Sequence, residues 1–389
     1  MVAGERGVVP LLDLRAEYEP LRERILRAVD EVFSSGRLYL GPQTEAFEEE
    51  FAAYCGASHG VACSSGADAL ILALQACGIG PGDEVITVPN TFIATVEAIA
   101  LAGARPVFVD VDPATHLLDV GQVEGAITPR TKAVVPVHLY GHPVEMSGLL
   151  KIARRHGLRV IEDACQAHGA EHGGRRTGTL GDVAAFSFYC AKNLGAYGEA
   201  GMVVTNDRGI ATSVQMLRNH GSKEKYHHAM LGVNSRIDEI QAAVLRVKLR
   251  HLEEANMHRR TWAAEYSRRL AGLDEVTLPV ELPSARHVYH LFVISVPRRD
   301  ALRDWLRERG IETGIHYPLP LHLQEACAGL GYGAGDYPNA EASATSVLSL
   351  PMYAELTLDQ VSYICQTVHD YFRGSRRQRG SRKVQVKVS

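Results

Sequence analysis

The stretch AFSFYCAKNLGAYGEAG (184–200) places Lys192 between an apolar run and several glycines. Lysine is seldom fully buried, and no carboxylate stands directly beside this one in the sequence. Burial lowers the pKa of an amine, and a neutral lysine amine is the nucleophile that forms Schiff bases. The pattern therefore indicates either a nucleophilic lysine or a strand-end lysine whose charge reaches solvent or an ion pair.

Polar side chains end a second apolar segment, RVIEDACQAHGA (159–170). Its first half predicts a strand, and Asp163 and Gln166 follow at the carboxyl end. A carboxylate there can face a cationic nitrogen of a ligand and keep it protonated, although Asp163 could also cap the next helix or loop. The 29 residues from Asp163 to Lys192 leave room for one connection and one strand. Both side chains can therefore end on the same edge of a sheet.

A possible anion site lies in CSSGADALILALQACG (63–78). Apolar residues from Ala67 onward follow the spacing of a buried helix face, and Ser64, Ser65 and Gly66 give that helix a tight entry. Free N–H groups at a helix start bind anions, most often phosphate. An ordinary serine-capped helix explains the same letters. Taken together, a phosphate cradle, an acid for a ring nitrogen and an isolated lysine describe a pyridoxal 5′-phosphate site.

The elements that must position these residues alternate along the chain. Helix-like segments such as MSGLLKIARRHG separate short β-branched runs, which predicts a mainly parallel sheet covered by helices on both faces. The predicted strands are residues 84–88, 106–111, 132–139, 159–164, 183–189 and 201–206.

The pattern changes after residue 236. Residues 238–271 predict one long helix, and HLFVISV (290–296), an amphipathic segment and IETGIHY (311–317) suggest a smaller α+β unit. We predict a large cofactor-binding domain over 1–250, a small C-terminal domain over 251–372 and a basic, disordered tail over 373–389.

From about Leu12 to Tyr371 the chain resembles the sugar aminotransferases of the DegT/DnrJ/EryC1/StrS type, and it looks most like those of antibiotic deoxysugar pathways. These enzymes are pyridoxal-phosphate-dependent, of fold type I, and aminate nucleotide-linked keto sugars. Each motif is weak alone, but their order and spacing are specific. The segments that carry the resemblance are SSGADALILAL, EVITVPNTFIATVEAI, PVFVDVD, VIEDACQAHGA, GDVAAFSFYCAKNLGAYGEAG, NHGS, GVNSRIDEIQAA and GIHYPLPLHLQ.

The resemblance implies a role for each matching residue. Lys192 would bind the cofactor as a Schiff base and transfer a proton, and Asp163 would pair with its pyridinium nitrogen. The remaining matches are Phe92 stacking on the ring, Gln166 near its phenolic oxygen, Gly66, Ala67, Asp68 and Ser187 at the phosphate, Asn234 reaching it from a partner subunit, and His316 and Tyr317 lining the sugar side. An active homodimer follows, with L-glutamate and a nucleotide-linked, dTDP-type keto-deoxysugar as substrates and pyridoxamine phosphate as the intermediate cofactor form. The amino group would go to C3 or C4 of the sugar, and the sequence leaves both positions open.

Two positions depart from the family pattern. Ala191 stands where Gly or Thr is frequent, and this change should be tolerated. Ala67 stands where Thr is frequent, so one hydroxyl near the phosphate is lost.

Three other functions compete with this one. A sugar dehydratase using pyridoxamine phosphate would carry histidine in place of Lys192. A nicotinamide-dependent sugar oxidoreductase needs G-x-G-x-x-G after a strand, whereas GIGPGD (78–83) precedes one and has the wrong spacing. A cofactor-binding regulator without turnover is supported only by the basic tail.

The charge, hydropathy and cysteine content of the chain limit the kinds of partner that we expect. A net charge of −4 argues against nucleic acid, and no apolar stretch reaches membrane-spanning length. Seven scattered cysteines without CxxC pairs and the lack of a signal peptide predict reduced thiols in a cytoplasmic protein. The histidines lack metal-ligand spacing, so no metal is expected.

Overall fold

The computed structural model describes the backbone of residues 8–385 and side chains as far as residue 374. The α-helices are α1 Leu14–Tyr18, α2 Arg22–Ser35, α3 Pro42–Cys55, α4 Gly66–Ala76, α5 Ala94–Leu101, α6 Val120–Val123, α7 Met146–His156, α8 Arg208–Leu217, α9 Glu239–Leu249, α10 Leu252–Leu270, α11 Arg299–Arg307, α12 Pro338–Ser346 and α13 Leu358–Gln385. Short 3₁₀ helices span Glu19–Leu21, Glu124–Ala126, Leu139–Gly141, Leu321–Leu323 and Glu325–Leu330.

Fourteen strands occur in the described part of the chain. They are β1 His59–Cys63, β2 Glu84–Thr87, β3 Arg105–Phe108, β4 Thr131–Val134, β5 Arg159–Asp163, β6 Glu171–His172, β7 Arg175–Arg176, β8 Val183–Ser187, β9 Gly201–Thr205, β10 Ser222–Glu224, β11 His227–His228, β12 Ala285–Arg286, β13 Phe292–Ser295 and β14 Val347–Leu350.

Seven strands form the central sheet, in the order β1-β9-β8-β5-β4-β2-β3. Strand β9 runs antiparallel to both of its neighbours, and the other adjacent pairs are parallel. The predicted mainly parallel, mixed α/β sheet is therefore confirmed. All six predicted strands are present, each ending one to five residues earlier than predicted. The sequence analysis missed β1, a five-residue edge strand that includes Gly60.

Helices cover both faces of the sheet, as β8 shows. Successive side chains of a strand point to opposite faces, and all five residues of β8 are buried. Val183 and Ala185 pack in one apolar cluster, together with Leu70 of α4. Ala184 and Phe186 pack in another, together with Phe51 of α3. Because neither face is left to solvent, functional side chains have to lie at the ends of the strands.

The region after residue 236 differs from the prediction in two ways. The single helix predicted over 238–271 is two helices, α9 and α10, divided at Arg250 and His251, and neither Pro nor Gly marks the break. Residues 311–317 form no strand; Ile311 makes an isolated bridge to Val9, and Gly314 makes one to Ser349. The N–H groups of Glu312 and Gly314 donate to the carbonyls of Val9 and Ser349, so the segment makes two isolated bridges and no ladder.

The strands β13 and β14 form an antiparallel pair whose inner face packs with α10, α11 and α13 in a core of its own, and Val9 joins that core. The predicted boundaries near residues 250 and 372 stay a prediction. Helix α13 continues to Gln385, into the segment predicted to be a disordered tail, and residues 386–389 lie outside the described ones. In the part of the chain described, no helix is long and apolar enough to cross a membrane.

A buried carboxylate fixes the loop that supports the strand carrying Asp163. Glu162 is fully buried, and its oxygens accept hydrogen bonds from the N–H groups of Gly178 (3.0 Å), Leu180 (2.8 Å) and Gly181 (2.8 Å). His138 Nε2 lies 3.0 Å from the same carboxylate. A charge removed from water needs such partners, so Glu162 ties β5 to residues 178–181.

We predict that Glu162→Gln lowers the free energy of unfolding by about 2–4 kcal/mol, because an amide NH₂ would face a buried N–H donor. The midpoint of thermal unfolding measures the loss. Glu308→Gln, at a carboxylate that is 69% exposed, is the matched control and should change little. Equal midpoints for the two variants would contradict this role of Glu162.

Candidate active site

The predicted lysine and aspartate do lie on one edge of the sheet. Asp163 ends β5 and Ser187 ends the adjacent parallel strand β8, with Asp163 paired in register to Ala185. Lys192 lies in the turn five residues beyond β8, and its backbone N–H donates to the carbonyl of Tyr189 at 2.8 Å. In open α/β sheets, ligands bind at this carboxyl edge.

Asp163 is buried, and two donors hold its carboxylate. The hydroxyl of Thr95 donates to Oδ2 at 2.8 Å, and the N–H of Cys165 donates to Oδ1 at 3.2 Å. Thr95 lies on α5, three residues after Phe92, so one short segment supplies both side chains. The sequence analysis missed Thr95, although its position one helical turn after Phe92 in NTFIATVEAI was a usable signal.

Lys192 is half-buried beside this carboxylate. Burial lowers the pKa of its amine, while the neighbouring Cys165 and Asp163 raise it to a smaller extent. Burial also raises the pKa of the Cys165 thiol well above its usual value. The lysine therefore has access to the neutral form that a nucleophilic amine needs.

Three imidazoles near Lys192, of which those of His168 and His290 are buried and that of His316 is half-buried, stay uncharged. Burial lowers the pKa of His168 to about 3 and that of His316 to about 4, and it lowers the pKa of His290 well below its usual value. In each case the charge of Lys192 adds to the effect of burial. The polar groups around the amine thus add no competing positive charge at neutral pH.

The start of α4 has the form of an anion cradle. Ser65 caps the helix by accepting from the N–H of Asp68 at 3.1 Å. The N–H groups of Gly66 and Ala67 have no acceptor among the described residues. A side chain at position 66 would place its Cβ 2.4 Å from the Cβ of Ser187. Gly66 and Ser187 are thus brought together, as predicted.

Asp68 is held by hydroxyl groups. Its Oδ2 accepts from Ser235 at 2.7 Å and from Ser64, and the two serine hydroxyls lie 2.9 Å apart. The sequence analysis missed Ser235. The neighbouring Asn234 is exposed and forms an isolated bridge with Asn219. The structure therefore places Asn234 at the surface of the subunit, and its predicted role toward a partner stays a prediction.

Aromatic and amide groups line the other side of the site. The rings of Phe92 and Tyr317 are 6.0 Å apart, and Phe92 is 56% exposed. Gln166 accepts from the N–H of Tyr140 at 2.7 Å and donates to the hydroxyl of Tyr317 at 3.2 Å. His316 Nδ1 lies 2.8 Å from the hydroxyl of Ser349. Tyr317 thus joins the predicted sugar side to Phe92 and Gln166.

These residues fit pyridoxal phosphate. The free N–H groups of Gly66 and Ala67 beside the Ser187 hydroxyl suit its phosphate. The buried carboxylate of Asp163 suits its pyridinium nitrogen, and the exposed ring of Phe92 offers a stacking surface. No group of three or more metal-binding side chains occurs in the part of the chain described.

A family model agrees with this geometry. Residues 19–369 match the model described as the DegT/DnrJ/EryC1/StrS aminotransferase family. The chain belongs to this family. It is a sugar aminotransferase that depends on pyridoxal phosphate.

Two relatives and one solved structure are similar over nearly the whole chain. The dTDP-3-amino-3,4,6-trideoxy-alpha-D-glucose transaminase of Streptomyces venezuelae is 51% identical, covering 93% of this chain and 96% of its own. The "Pleiotropic regulatory protein" of Geobacillus stearothermophilus is 50% identical, covering 94% of this chain and 99% of its own. The crystal structure of Streptomyces venezuelae DesV in complex with a ketimine intermediate has a TM-score of 0.92 and 51% identity, covering 94% and 98%.

Membership in the aminotransferase family also confirms the predicted fold type I, since the similarity to the DesV structure extends over 94% of this chain. The dehydratase and the nicotinamide oxidoreductase are not favoured.

We predict that Gly66→Ala weakens the binding of pyridoxal phosphate by at least about tenfold, because the new methyl group would displace Ser187 from the cradle. Titration of the apoenzyme with the cofactor measures this directly. Gly125→Ala, where a Cβ meets nothing within 4 Å, is the control. If both variants bind the cofactor as the wild type does, the start of α4 is not the phosphate site.

Proposed function

We propose that this aminotransferase moves the amino group of L-glutamate to C3 of a dTDP-linked keto-deoxysugar, in the biosynthesis of an amino sugar of a secondary metabolite. The observation that carries the proposal is the juxtaposition of Lys192, Asp163 and the α4 cradle on one sheet edge. The similarity to the Streptomyces venezuelae dTDP-3-amino sugar transaminase supports the nucleotide and the C3 position. The seven free cysteines support a cytoplasmic location.

Each residue has a role in this reaction. Lys192 Nζ would hold the cofactor covalently and would carry the proton that moves during the transfer. Asp163, whose carboxylate accepts hydrogen bonds from Thr95 and Cys165, would pair with the pyridinium nitrogen. When bound, the cofactor supplies an electron-accepting ring that stabilises negative charge on the substrate carbon.

The remaining residues bind and orient. Gly66, Ala67 and Ser187 hold the phosphate, with Asp68 keeping Ser64 and Ser235 in place at the entry to α4. Phe92 would offer the stacking surface for the ring, and Gln166 would lie on the side of its phenolic oxygen. His316 and Tyr317 line the sugar side, where neutral imidazole and phenol groups can hydrogen-bond sugar hydroxyls.

A homodimer with shared active sites completes the proposal. The loop around Asn234 exposes large apolar side chains, with Leu231 at 96% and Tyr226 at 81% exposure. Exposed apolar groups in such numbers mark an interaction surface. Covered by a second copy, this loop would carry Asn234 to the phosphate of the partner's site.

Supplying ¹⁵N-glutamate and dTDP-linked 3-keto and 4-keto sugars tests the reaction. We expect the label in the sugar from the 3-keto substrate, detected by mass, and none with Lys192→Ala. Loss of sugar oxygen without gain of nitrogen would favour a dehydratase. Binding of the cofactor without turnover on any sugar would favour a regulator, as the name of the Geobacillus relative suggests for that protein.

Lys192→Ala should also lose the visible absorbance of the bound cofactor, because Lys192 is the amine beside Asp163 that forms the Schiff base. Spectra of the loaded wild type and variant measure this. An unchanged band would remove Lys192 from its assigned role.

Mixing two inactive variants tests the shared site. Lys192→Ala and Asn234→Ala should each be inactive or weak, and unfolding and refolding them together should restore activity to about a quarter of the wild-type value. Half of the dimers are then hybrids, each with one intact site. If the site lies within one subunit, the mixture gains nothing over its components.

A further inference from the structure

The side chain of Asn193, directly after Lys192, is buried and has three hydrogen-bond partners. Its Nδ2 donates to Asn256 Oδ1 of α10 at 2.8 Å and to the carbonyl of Val288 at 3.1 Å. Its Oδ1 lies 3.1 Å from His290 Nδ1. The turn that carries the lysine is thus bonded to two segments that lie far away in the sequence.

Backbone carbonyls fix the direction of every bond in this network, because a carbonyl can only accept. Asn256 Nδ2 donates to the carbonyl of His168 at 2.8 Å, so Asn256 Oδ1 must face Asn193. The carbonyl of Val288 likewise accepts only, so the Asn193 atom that faces it must be the donor Nδ2. Asn193 Oδ1 is therefore an acceptor, and His290 carries its hydrogen on Nδ1.

Helix α10 supports the same segment from a second residue on the same face. Arg259, three residues after Asn256, is buried and donates to the carbonyls of Met352 at 2.8 Å and of His290 at 3.4 Å. Burial lowers its pKa to about 10. The hydrogen bonds of the buried Arg259 side chain to backbone carbonyls hold residue 290 against α10. Because residue 290 is held in place, the imidazole ring that meets Asn193 is also held in place.

We propose that Asn193 and His290 form a positioning unit for Lys192: the Nδ1–H of His290 holds the Asn193 amide, and this amide, anchored on α10, keeps the lysine turn at the edge of the sheet. The inference rests on the proposed role of Lys192. It adds two positioning residues, neither of which has to touch the substrate. The unit carries no net charge, so it orients the amine without forming an ion pair with it.

The rate at which the apoenzyme captures pyridoxal phosphate, followed by visible absorbance across a range of pH, tests the unit. Capture needs a neutral Lys192 amine. In Asn193→Ala or His290→Ala the turn loosens, the amine gains water, and its pKa rises. We expect a rise of about one unit, which slows capture at neutral pH by about tenfold and leaves it unchanged at high pH.

His290→Asn provides the rescue, because its amide NH₂ can take the place of Nδ1–H, and we expect capture within about twofold of the wild type. The double variant Asn193→Ala/His290→Ala should be no slower than the slower single variant. Asn339→Ala, which removes an asparagine bond to the carbonyl of Val111 at 2.9 Å, is the control for loss of a hydrogen-bonded, half-buried amide and should keep the wild-type pH profile.

Wild-type pH profiles in Asn193→Ala and His290→Ala would overturn the proposal. So would capture by His290→Asn as slow as that of His290→Ala, since His290 would then act through Nε2 and not through Asn193. If Asn193→Ala does not fold, the comparison of the two His290 variants still decides. Failure of the role of Lys192 itself is distinguishable, because Lys192→Ala would then keep its visible band.

Discussion

Asp163 is a carboxylate that the fold buries at the end of a strand, and the rest of the site depends on the groups that hold it there. A buried carboxylate needs hydrogen-bond donors in place of water. The hydroxyl of Thr95 and the N–H of Cys165 each donate to one of its oxygens, and the amine of Lys192 lies nearby. These partners offset the cost of taking a charge out of water. A negative charge fixed in this way can keep a ring nitrogen protonated, as the family's chemistry requires.

The strand that presents Asp163 is itself fixed by a second buried carboxylate. Glu162 uses its oxygens on three backbone N–H groups of residues 178–181 and on His138. Adjacent residues of a strand point to opposite faces, so Glu162 faces the supporting loop while Asp163 faces the site. One face of β5 provides rigidity, and the other provides chemistry.

The C-terminal part of the chain completes the surroundings of Lys192. His290 and His316 come from segments that pack against the sheet region, and Asn256 comes from α10. Their side chains are neutral near the amine, so they add no positive charge beside Lys192. A neutral shell favours a lysine that can change its protonation state, which a proton carrier needs.

Much of the site could be predicted from local patterns. The alternation of strands and helices predicts a parallel sheet. Residues that follow the ends of parallel strands lie at the same edge of that sheet, and this rule predicted that Asp163, Ser187 and Lys192 lie together. The Ser-Ser-Gly entry marked the cradle because helix starts leave free N–H groups.

The sequence could not show Thr95 under Asp163, Ser235 beside Asp68, or His290 on Asn193. The two partners of these contacts are separated along the chain by 68, 167 and 97 positions, respectively. Only the packing of distant segments brings them together. The break between α9 and α10 and the loop at 311–317 were likewise set by tertiary packing, because no local residue requires them. The sequence thus determined which chemistry the chain carries, whereas the tertiary structure decided which neighbours hold each group in its charge state and orientation.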